Sequence, residues 1–148
     1  MYGRILVPID GSATSKRGLM EAIQLAKEQR AKLGCLYVVD EHIFIDAPSA
    51  YPYIPDLIES IRDAGKKILA ESSEQVQQAG IPVESILRDS GGRRVSGTIL
   101  DEAKSWPADL IVMGTHGRRG LSHLALGSDA ERVVRESPVP VLLVRAAE

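Results

Sequence analysis

The chain has 148 residues, 44% of them hydrophobic and 26% charged, which is the balance of an ordinary globular protein with a buried core. Its formal net charge is -2 with acids and bases interspersed. This argues against nucleic acid or an anionic membrane as a partner, because both require a concentrated basic surface. No stretch approaches the roughly 20 apolar residues of a membrane span, and no signal peptide is evident. We therefore expect a single cytoplasmic domain over residues 1–148.

Five short apolar runs rich in β-branched residues predict five strands. In chain order they are Ile5–Ile9, Cys35–Val39, Val83–Leu87, Leu110–Met113 and Val141–Val144. The first run and the last two are almost continuously hydrophobic, which is typical of parallel strands covered by helices on both faces. The third run alternates and is expected at an edge of the sheet. The single cysteine, Cys35, is expected to be a buried thiol rather than a nucleophile.

Helical patterns separate these strands and predict four helices. The first three run from Ser12 or Thr14 to about Leu33, from Pro55 to about Ala79, and from about Ser96 to Ser105. The fourth begins at Ser128, where Ser128-Asp-Ala-Glu131 fits a capping box. The residues expected on the inner faces are, in chain order, Leu19, Ala22, Ile23 and Ala26; Leu57, Ile61, Ala64 and Ile68; Ile99, Leu100 and Ala103; and Ala130, Val133 and Val134. With right-handed crossovers, this order of elements predicts an open α/β sheet with helices on both faces.

In such a sheet, ligands bind beyond the carboxyl ends of the strands, at the point where strand order reverses. The loops that follow the first, second and fourth strands, at Asp10, Asp40 and Gly114, therefore form the candidate site. The loop Glu41–Ile54 is long enough to be a functional lid, and a surface excursion is the alternative.

The loop after the fourth strand is rich in glycine, with Gly114, Gly117, Gly120 and Gly127 inside one short stretch. Glycines let the backbone approach a ligand closely, and Gly127-Ser128 leads into a helix N-terminus, whose free N–H groups favour a phosphate. This pattern favours anion binding, with a purely structural turn as the alternative. It lacks the spacing of the dinucleotide fingerprint, and Gly11–Lys16 lacks the second glycine of a Walker P-loop.

Four segments carry a family resemblance: RILVPIDGS at 4–12, VVD at 38–40, DLIVMGTHG at 109–117 and GSDAERVV at 127–134. Together they resemble the universal stress protein family over essentially the whole chain. The most specific element is Gly-x2-Gly-x9-Gly-Ser/Thr, which is met by Gly114, Gly117, Gly127 and Ser128. In the family this pattern marks the branch that binds ATP.

The resemblance implies a five-stranded parallel sheet in the order 3-2-1-4-5, with ATP or another adenine nucleotide between the first and fourth strands. The adenine is expected near Pro8 and Val38 with Met113 beneath the nucleotide, and Asp10 near the ribose, the phosphates and an accompanying Mg²⁺. The residues expected around the phosphates are Gly114, Thr115, His116, Gly117, Arg118 and Arg119 in the first stretch, and Gly127, Ser128, Asp129 and Ala130 in the second. A homodimer through the last strand, Val139–Val144, is also implied.

Two features depart from the family pattern. Asp129 stands where the family usually has a small or apolar residue, and its carboxylate repels a triphosphate unless it points away or meets a metal. The loop Gly91–Gly97 is richer in glycine and arginine than the usual family loop. It predicts a solvated turn, with an interaction surface as the alternative.

Three functions are consistent with these features. The first is a regulatory module whose nucleotide occupancy is read by an unknown protein partner. The second is a slow, metal-dependent ATPase with Asp10 or His116 as catalytic candidates, although neither has a partner that is evident in the sequence. The third is an interaction protein with a weak or vestigial nucleotide site. The missing catalytic apparatus favours the first function.

Overall fold

The computed structural model describes residues 1–42, 54–116 and 126–146. Strands and helices alternate along these residues as β1 Arg4–Pro8, α1 Ala13–Gln29, β2 Lys32–Val39, α2 Ile54–Gln78, β3 Val83–Asp89, α3 Val95–Ser105, β4 Leu110–Gly114, α4 Ser128–Glu136 and β5 Val141–Val144. The strands form one parallel sheet in the order β3-β2-β1-β4-β5. The predicted fold class and strand order are confirmed, and so is the edge position of the third strand.

Helices cover both faces of the sheet. Successive side chains of a strand point to opposite faces, so one strand can contribute to a core on each side. In β1, Ile5 and Val7 join a core beneath α1 and α2. Leu6, between them, joins a second core beneath α3 and α4. The inward stripes predicted for α1 and α3 are buried as expected.

The ladder between β1 and β4 is short. β1 pairs with β2 along its whole length, from Arg4–Lys32 to Pro8–Leu36. Its pairing with β4 comprises only Ile5–Leu110 and Leu6–Ile111. The chain leaves these two central strands toward opposite faces of the sheet, so their carboxyl ends frame an opening.

The first helix ends earlier than predicted. It stops at Gln29, and Arg30 takes a left-handed backbone conformation with φ of 56°, its N–H bonded to the Ala26 carbonyl. The predicted end at Leu33 is wrong because β2 begins at Lys32, whose N–H donates to the Gly3 carbonyl at 2.9 Å. Lys32 and Leu33, which the helical pattern placed in the helix, therefore pair with β1 instead.

Two predicted inward stripes are partly wrong. In α2, Leu57 is 43% exposed and Ala64 is also exposed, while the neighbouring Gly65 is buried. A Cβ at Gly65 would clash with the ring of Tyr37, so the helix can pack on β2 only through a residue without a side chain. In α4, Ala130 and Val133 are buried as predicted, whereas Val134 is 48% exposed.

A polar cluster closes the amino ends of the strands, opposite the opening. The Arg4 guanidinium lies 4.1 Å from the ring centroid of Trp106 and donates to its carbonyl oxygen. The Trp106 indole N–H donates to Glu84, which also pairs with Lys32 at 2.8 Å. The Lys32 ammonium, followed by the indole N–H, lowers the pKa of Glu84 below its usual range.

None of the helices within the described ranges is long and apolar enough to cross a bilayer.

We predict that Cys35 is chemically inert in the native protein. The side chain is 0% exposed, and burial raises the pKa of its thiol to about 12, so the reactive thiolate is scarce at neutral pH. Labelling with an aromatic disulfide reagent at pH 8 should proceed only as fast as the protein unfolds. Glu71→Cys, on the exposed side of α2, should label at once and serves as the control. Prompt modification of the wild-type thiol would contradict the prediction.

Candidate functional site

A cleft of about 380 Å³ lies at the carboxyl ends of β1, β2 and β4. It occupies the place where strand order reverses, as expected for a ligand site in this kind of sheet. Eleven of the residues predicted from the sequence line it: Pro8, Asp10, Val38, Met113, Gly114, Thr115, His116, Gly127, Ser128, Asp129 and Ala130. Gly117, Arg118 and Arg119 lie outside the described residues, as does most of the proposed lid, residues 43–53.

The turn between β1 and α1 holds Asp10 in a defined position. One carboxylate oxygen of Asp10 accepts from the Ser12 N–H at 2.9 Å, and Gly11 supplies the left-handed conformation that the turn requires, with φ of 83°. Ser12 then caps α1 by accepting from the Ser15 N–H at 3.2 Å. The Ser15 hydroxyl accepts from the Asp10 N–H, so side chains and backbone fix one another.

Backbone hydrogen bonds join the start of α4 to the end of β4. The Thr115 N–H donates to the Val144 carbonyl at 3.0 Å, and the Gly127 N–H donates to the Thr115 carbonyl at 2.8 Å. The Thr14 hydroxyl donates to the His116 carbonyl and ties this region to α1. The wall of the cleft is therefore held by contacts among three separate elements.

Two glycines at this junction lie very close to neighbouring segments, and the approach at Gly114 leaves no room for a side chain. A Cβ at Gly114 would lie 2.6 Å from the Thr14 hydroxyl oxygen and 2.8 Å from a Thr14 backbone carbon. A Cβ at Gly127 would lie 3.0 Å from the Thr115 carbonyl oxygen. We expected these glycines to allow the close approach of a ligand. They also allow the close approach of Thr14 and Thr115 within the protein.

His116 presents an unpartnered nitrogen in the wall of the cleft. Its Nδ1 lies 2.9 Å from the Thr115 hydroxyl oxygen. Its Nε2 is buried and has no hydrogen-bond partner within the described parts of the chain. A buried polar atom without a partner is unfavourable in a protein. Solvent does not reach this nitrogen, so a ligand atom could hydrogen-bond to it only after the His116 side chain turns toward the cleft.

The predicted capping box at the start of α4 is wrong. The N-cap is Gly127, which has no side chain, and Ser128 is the first helical residue. Glu131 reaches forward along the helix to Arg135 at 3.4 Å instead of back to the N-terminus. The reason is that the first intrahelical bond runs from the Glu131 N–H to the Gly127 carbonyl at 2.9 Å, which makes Gly127 the N-cap and places Glu131 one residue beyond the position that a capping box requires. The first turn of α4 therefore faces the cleft without a side-chain cap, which leaves its positive end available to an anion.

Asp129 has a structural partner that the sequence did not reveal. A carboxylate oxygen accepts from the Ser96 N–H at 3.0 Å, in the first turn of α3. The N-cap residue of α3, Arg94, makes no side-chain capping bond. Asp129 therefore caps a helix other than its own, and the Arg132 guanidinium supports the junction by reaching the Ser96 hydroxyl at 3.3 Å.

Arg94 is a lining residue that sequence reasoning missed. The loop Gly91–Gly97 was interpreted as a solvated turn, and Arg93 fits that interpretation, since it pairs at the surface with Asp101 at 2.7 Å. Arg94, by contrast, lines the cleft. The signal in the sequence was two adjacent arginines after a glycine pair, but the sequence does not tell which one faces the site.

The lining side chains that are described carry more negative than positive charge. Asp10, Asp40 and Asp129 contribute carboxylates, against the guanidinium of Arg94. Within the described ranges, no group of three or more His, Cys, Asp or Glu side chains is arranged to hold a metal ion.

Comparison with known proteins agrees with this architecture. The family model described as the universal stress protein family matches residues 1–145. The chain belongs to this family. It is 36% identical over 151 aligned positions to universal stress protein YxiE of Bacillus subtilis, covering 98% of this chain and all of that relative.

Solved structures of universal stress proteins are also similar. UspA from Lactobacillus plantarum matches with a TM-score of 0.85 and 29% identity, covering 97% of this chain and 98% of its own. A universal stress protein solved in complex with cAMP matches with a TM-score of 0.70 and 26% identity, covering 99% and 98% of the two chains.

We predict that Asp129→Ala lowers the free energy of unfolding by about 1 kcal/mol, because α3 loses the acceptor that caps it. Asp129→Asn keeps an oxygen for the Ser96 N–H and should cost clearly less. Chemical denaturation of the two variants measures the difference, with Glu131→Ala on the exposed side of the same turn as the control. Equal stability of Asp129→Ala and wild type would show that the contact does not cap α3.

Proposed function

We propose that this universal stress protein is an adenine-nucleotide-binding module that acts in the cytoplasm, with ATP among its ligands. The observation that carries the proposal is the cleft of about 380 Å³ at the switch point of the sheet, which is lined by Asp10, Gly114 and residues of the first turn of α4. The uncapped first turn of α4 supports it, because free N–H groups at a helix N-terminus favour phosphate. The similarity to a universal stress protein in complex with cAMP supports the choice of adenine nucleotides.

In this proposal the nucleotide lies across the carboxyl ends of β1, β2 and β4. Pro8, Val38 and Met113 offer apolar surface to the adenine, and Asp10 faces the ribose and the phosphates. The backbone N–H groups from Ser128 to Ala130 receive a phosphate at the start of α4. His116 Nε2 provides the hydrogen bond that fixes the orientation of the ligand.

A magnesium ion fits this site only together with phosphates. Mg²⁺ in nucleotide sites is usually held by one or two carboxylates, several waters and the phosphate oxygens. Asp10, which lines the cleft, is the residue that would contribute the carboxylate. The described residues contain no group of three or more ligands that would hold the ion without phosphates. When bound, the ion would offset the charge of the phosphates.

We propose that the protein binds the nucleotide without hydrolysing it as its main function. Asp10 helps to shape its own turn through the Ser12 N–H, and His116 Nδ1 lies against the Thr115 hydroxyl. These contacts fit ligand positioning better than the activation of water. We therefore propose a regulatory module whose occupancy is read by a protein partner. Recovery of ATP unchanged after long incubation supports the module, and steady hydrolysis that Asp10→Ala abolishes would favour an enzyme.

We predict that the two amide substitutions of His116 differ in their effect on nucleotide binding. His116→Gln places a polar group near the position of Nε2, whereas His116→Asn places one near Nδ1 and leaves the Nε2 position without one. AMP affinity measured by calorimetry should fall about tenfold in His116→Asn, the equivalent of one lost hydrogen bond, and clearly less in His116→Gln. Equal affinity in both variants and the wild type would remove His116 from the site.

We also propose a homodimer through the last strand, Val139–Val144. β5 lies at an edge of the sheet, and edge strands present backbone groups that can pair with another chain. Leu142 supports the proposal, because this large apolar side chain is 41% exposed on that strand.

We expect Leu142→Lys to convert the protein to a monomer, because a charged side chain on an edge strand opposes pairing with a second copy. Sedimentation velocity measures the change. Leu57→Lys is the matched control, since Leu57 is exposed to a similar degree, 43%, on α2. A dimer that persists in Leu142→Lys, or that is lost equally in both variants, would contradict the assignment of the interface.

A further inference from the structure

We infer that Asp129 determines the specificity of the cleft, by selecting adenine nucleotides with a single phosphate group over metal-free ATP. The inference rests on the proposed function and names the class of nucleotide that the site takes. It concerns a carboxylate that the family pattern does not supply and that a hydrogen bond to a second helix holds in place.

Asp129 has a fixed position beside the site proposed for phosphate. Asp129 is the second residue of α4, within the turn that is proposed to receive phosphate, and it lines the cleft. Its carboxylate accepts from the Ser96 N–H at 3.0 Å. Ser96 is fully buried, so a movement of the carboxylate toward solvent would leave a buried N–H without its acceptor. The negative charge is therefore held at the edge of the phosphate position.

Asp129 lies at two helix ends that would attract an anion. The N-terminus of α3 lies against Asp129, and the N-terminus of α4 carries it. A carboxylate at this position neutralises part of the positive potential of both helix ends. The potential that is left suits a ligand of low charge better than a triphosphate.

Other described residues of the cleft lining are charged as well. Asp10 and Asp40 have carboxylates that make contacts of their own, and Arg94 has a guanidinium. Each additional phosphate group brings more negative charge into this setting, and Coulomb repulsion grows with it. Where Mg²⁺ accompanies ATP, part of that charge is offset, so selection against ATP is strongest without a metal.

The experiment compares three ligands in calorimetric titrations with EDTA present: adenosine, AMP and ATP. Asp129→Asn is the informative variant, because it removes the charge and keeps an oxygen for the Ser96 N–H. Glu131→Gln is the matched control, since it removes a charge from the same turn of α4 on the exposed side. Thermal unfolding of each variant without ligand verifies that all of them are folded.

In the wild type we expect AMP to bind more tightly than ATP. In Asp129→Asn we expect ATP affinity to rise about tenfold and AMP affinity by about threefold at most, because the removed repulsion scales with ligand charge. Adenosine affinity should stay the same in both variants, and Glu131→Gln should behave as the wild type does.

The outcomes separate this inference from the proposed function. If ATP binds as tightly as AMP in the wild type, or if both gain equally in Asp129→Asn, Asp129 does not set specificity although the nucleotide site stands. If none of the three ligands binds to the wild type or to Asp129→Asn, the proposed function itself fails.

Discussion

The short pairing between β1 and β4 is the constraint from which the site follows. These two strands are the centre of the sheet, yet their ladder consists of Ile5–Leu110 and Leu6–Ile111. The chain then turns into α1 on one face and toward α4 on the other, so the two carboxyl ends cannot continue to pair. An opening between them is the unavoidable result of strand order 3-2-1-4-5, and Asp10 and Gly114 stand at its two sides.

The junction around this opening is held together by a residue whose backbone N–H and carbonyl are both hydrogen-bonded to other segments. The Thr115 residue donates to β5 through its N–H and accepts from Gly127 through its carbonyl. Gly114 and Gly127 allow this because neither has a side chain that would separate the segments. The first turn of α4, which these contacts leave without a side-chain cap, lines the cleft.

The sequence predicted the fold well because fold class depends on periodicity. Five apolar runs and the helical patterns between them specify a parallel sheet, and strand ends such as Val141–Val144 were matched at both residues. Errors arose where a distant residue decided the outcome. Gly65 replaces Ala64 on the inner face of α2 because the ring of Tyr37 lies opposite, a contact that no local pattern contains.

In the candidate site, too, features that depend on local sequence were predicted and features that depend on distant contacts were not. Motif and topology identified eleven of the residues that line the cleft, because these lie at strand ends or at the start of α4, but they did not identify Arg94. The hydrogen bond between Asp129 and Ser96 joins residues 33 positions apart, and Gly127 is the N-cap because its carbonyl accepts from the Glu131 N–H. Such contacts depend on how α3 and α4 pack, so the sequence could identify Asp129 as unusual without revealing its partner.

The amino-end cluster has a consequence for how this molecule can be observed by optical spectroscopy. Trp106 is the single tryptophan of the chain, and it lies under the Arg4 guanidinium at the end of the sheet opposite the cleft. Helix α3 connects the two places. Asp129 holds Ser96 in its first turn, and Trp106 follows its last residue, about 15 Å further along the helix. The indole is too far from the cleft to be quenched by contact with a bound nucleotide. A change in its emission on ligand addition would therefore report a structural change that reaches the amino ends of the strands, which makes the natural fluorophore a sensor of conformational change rather than of occupancy.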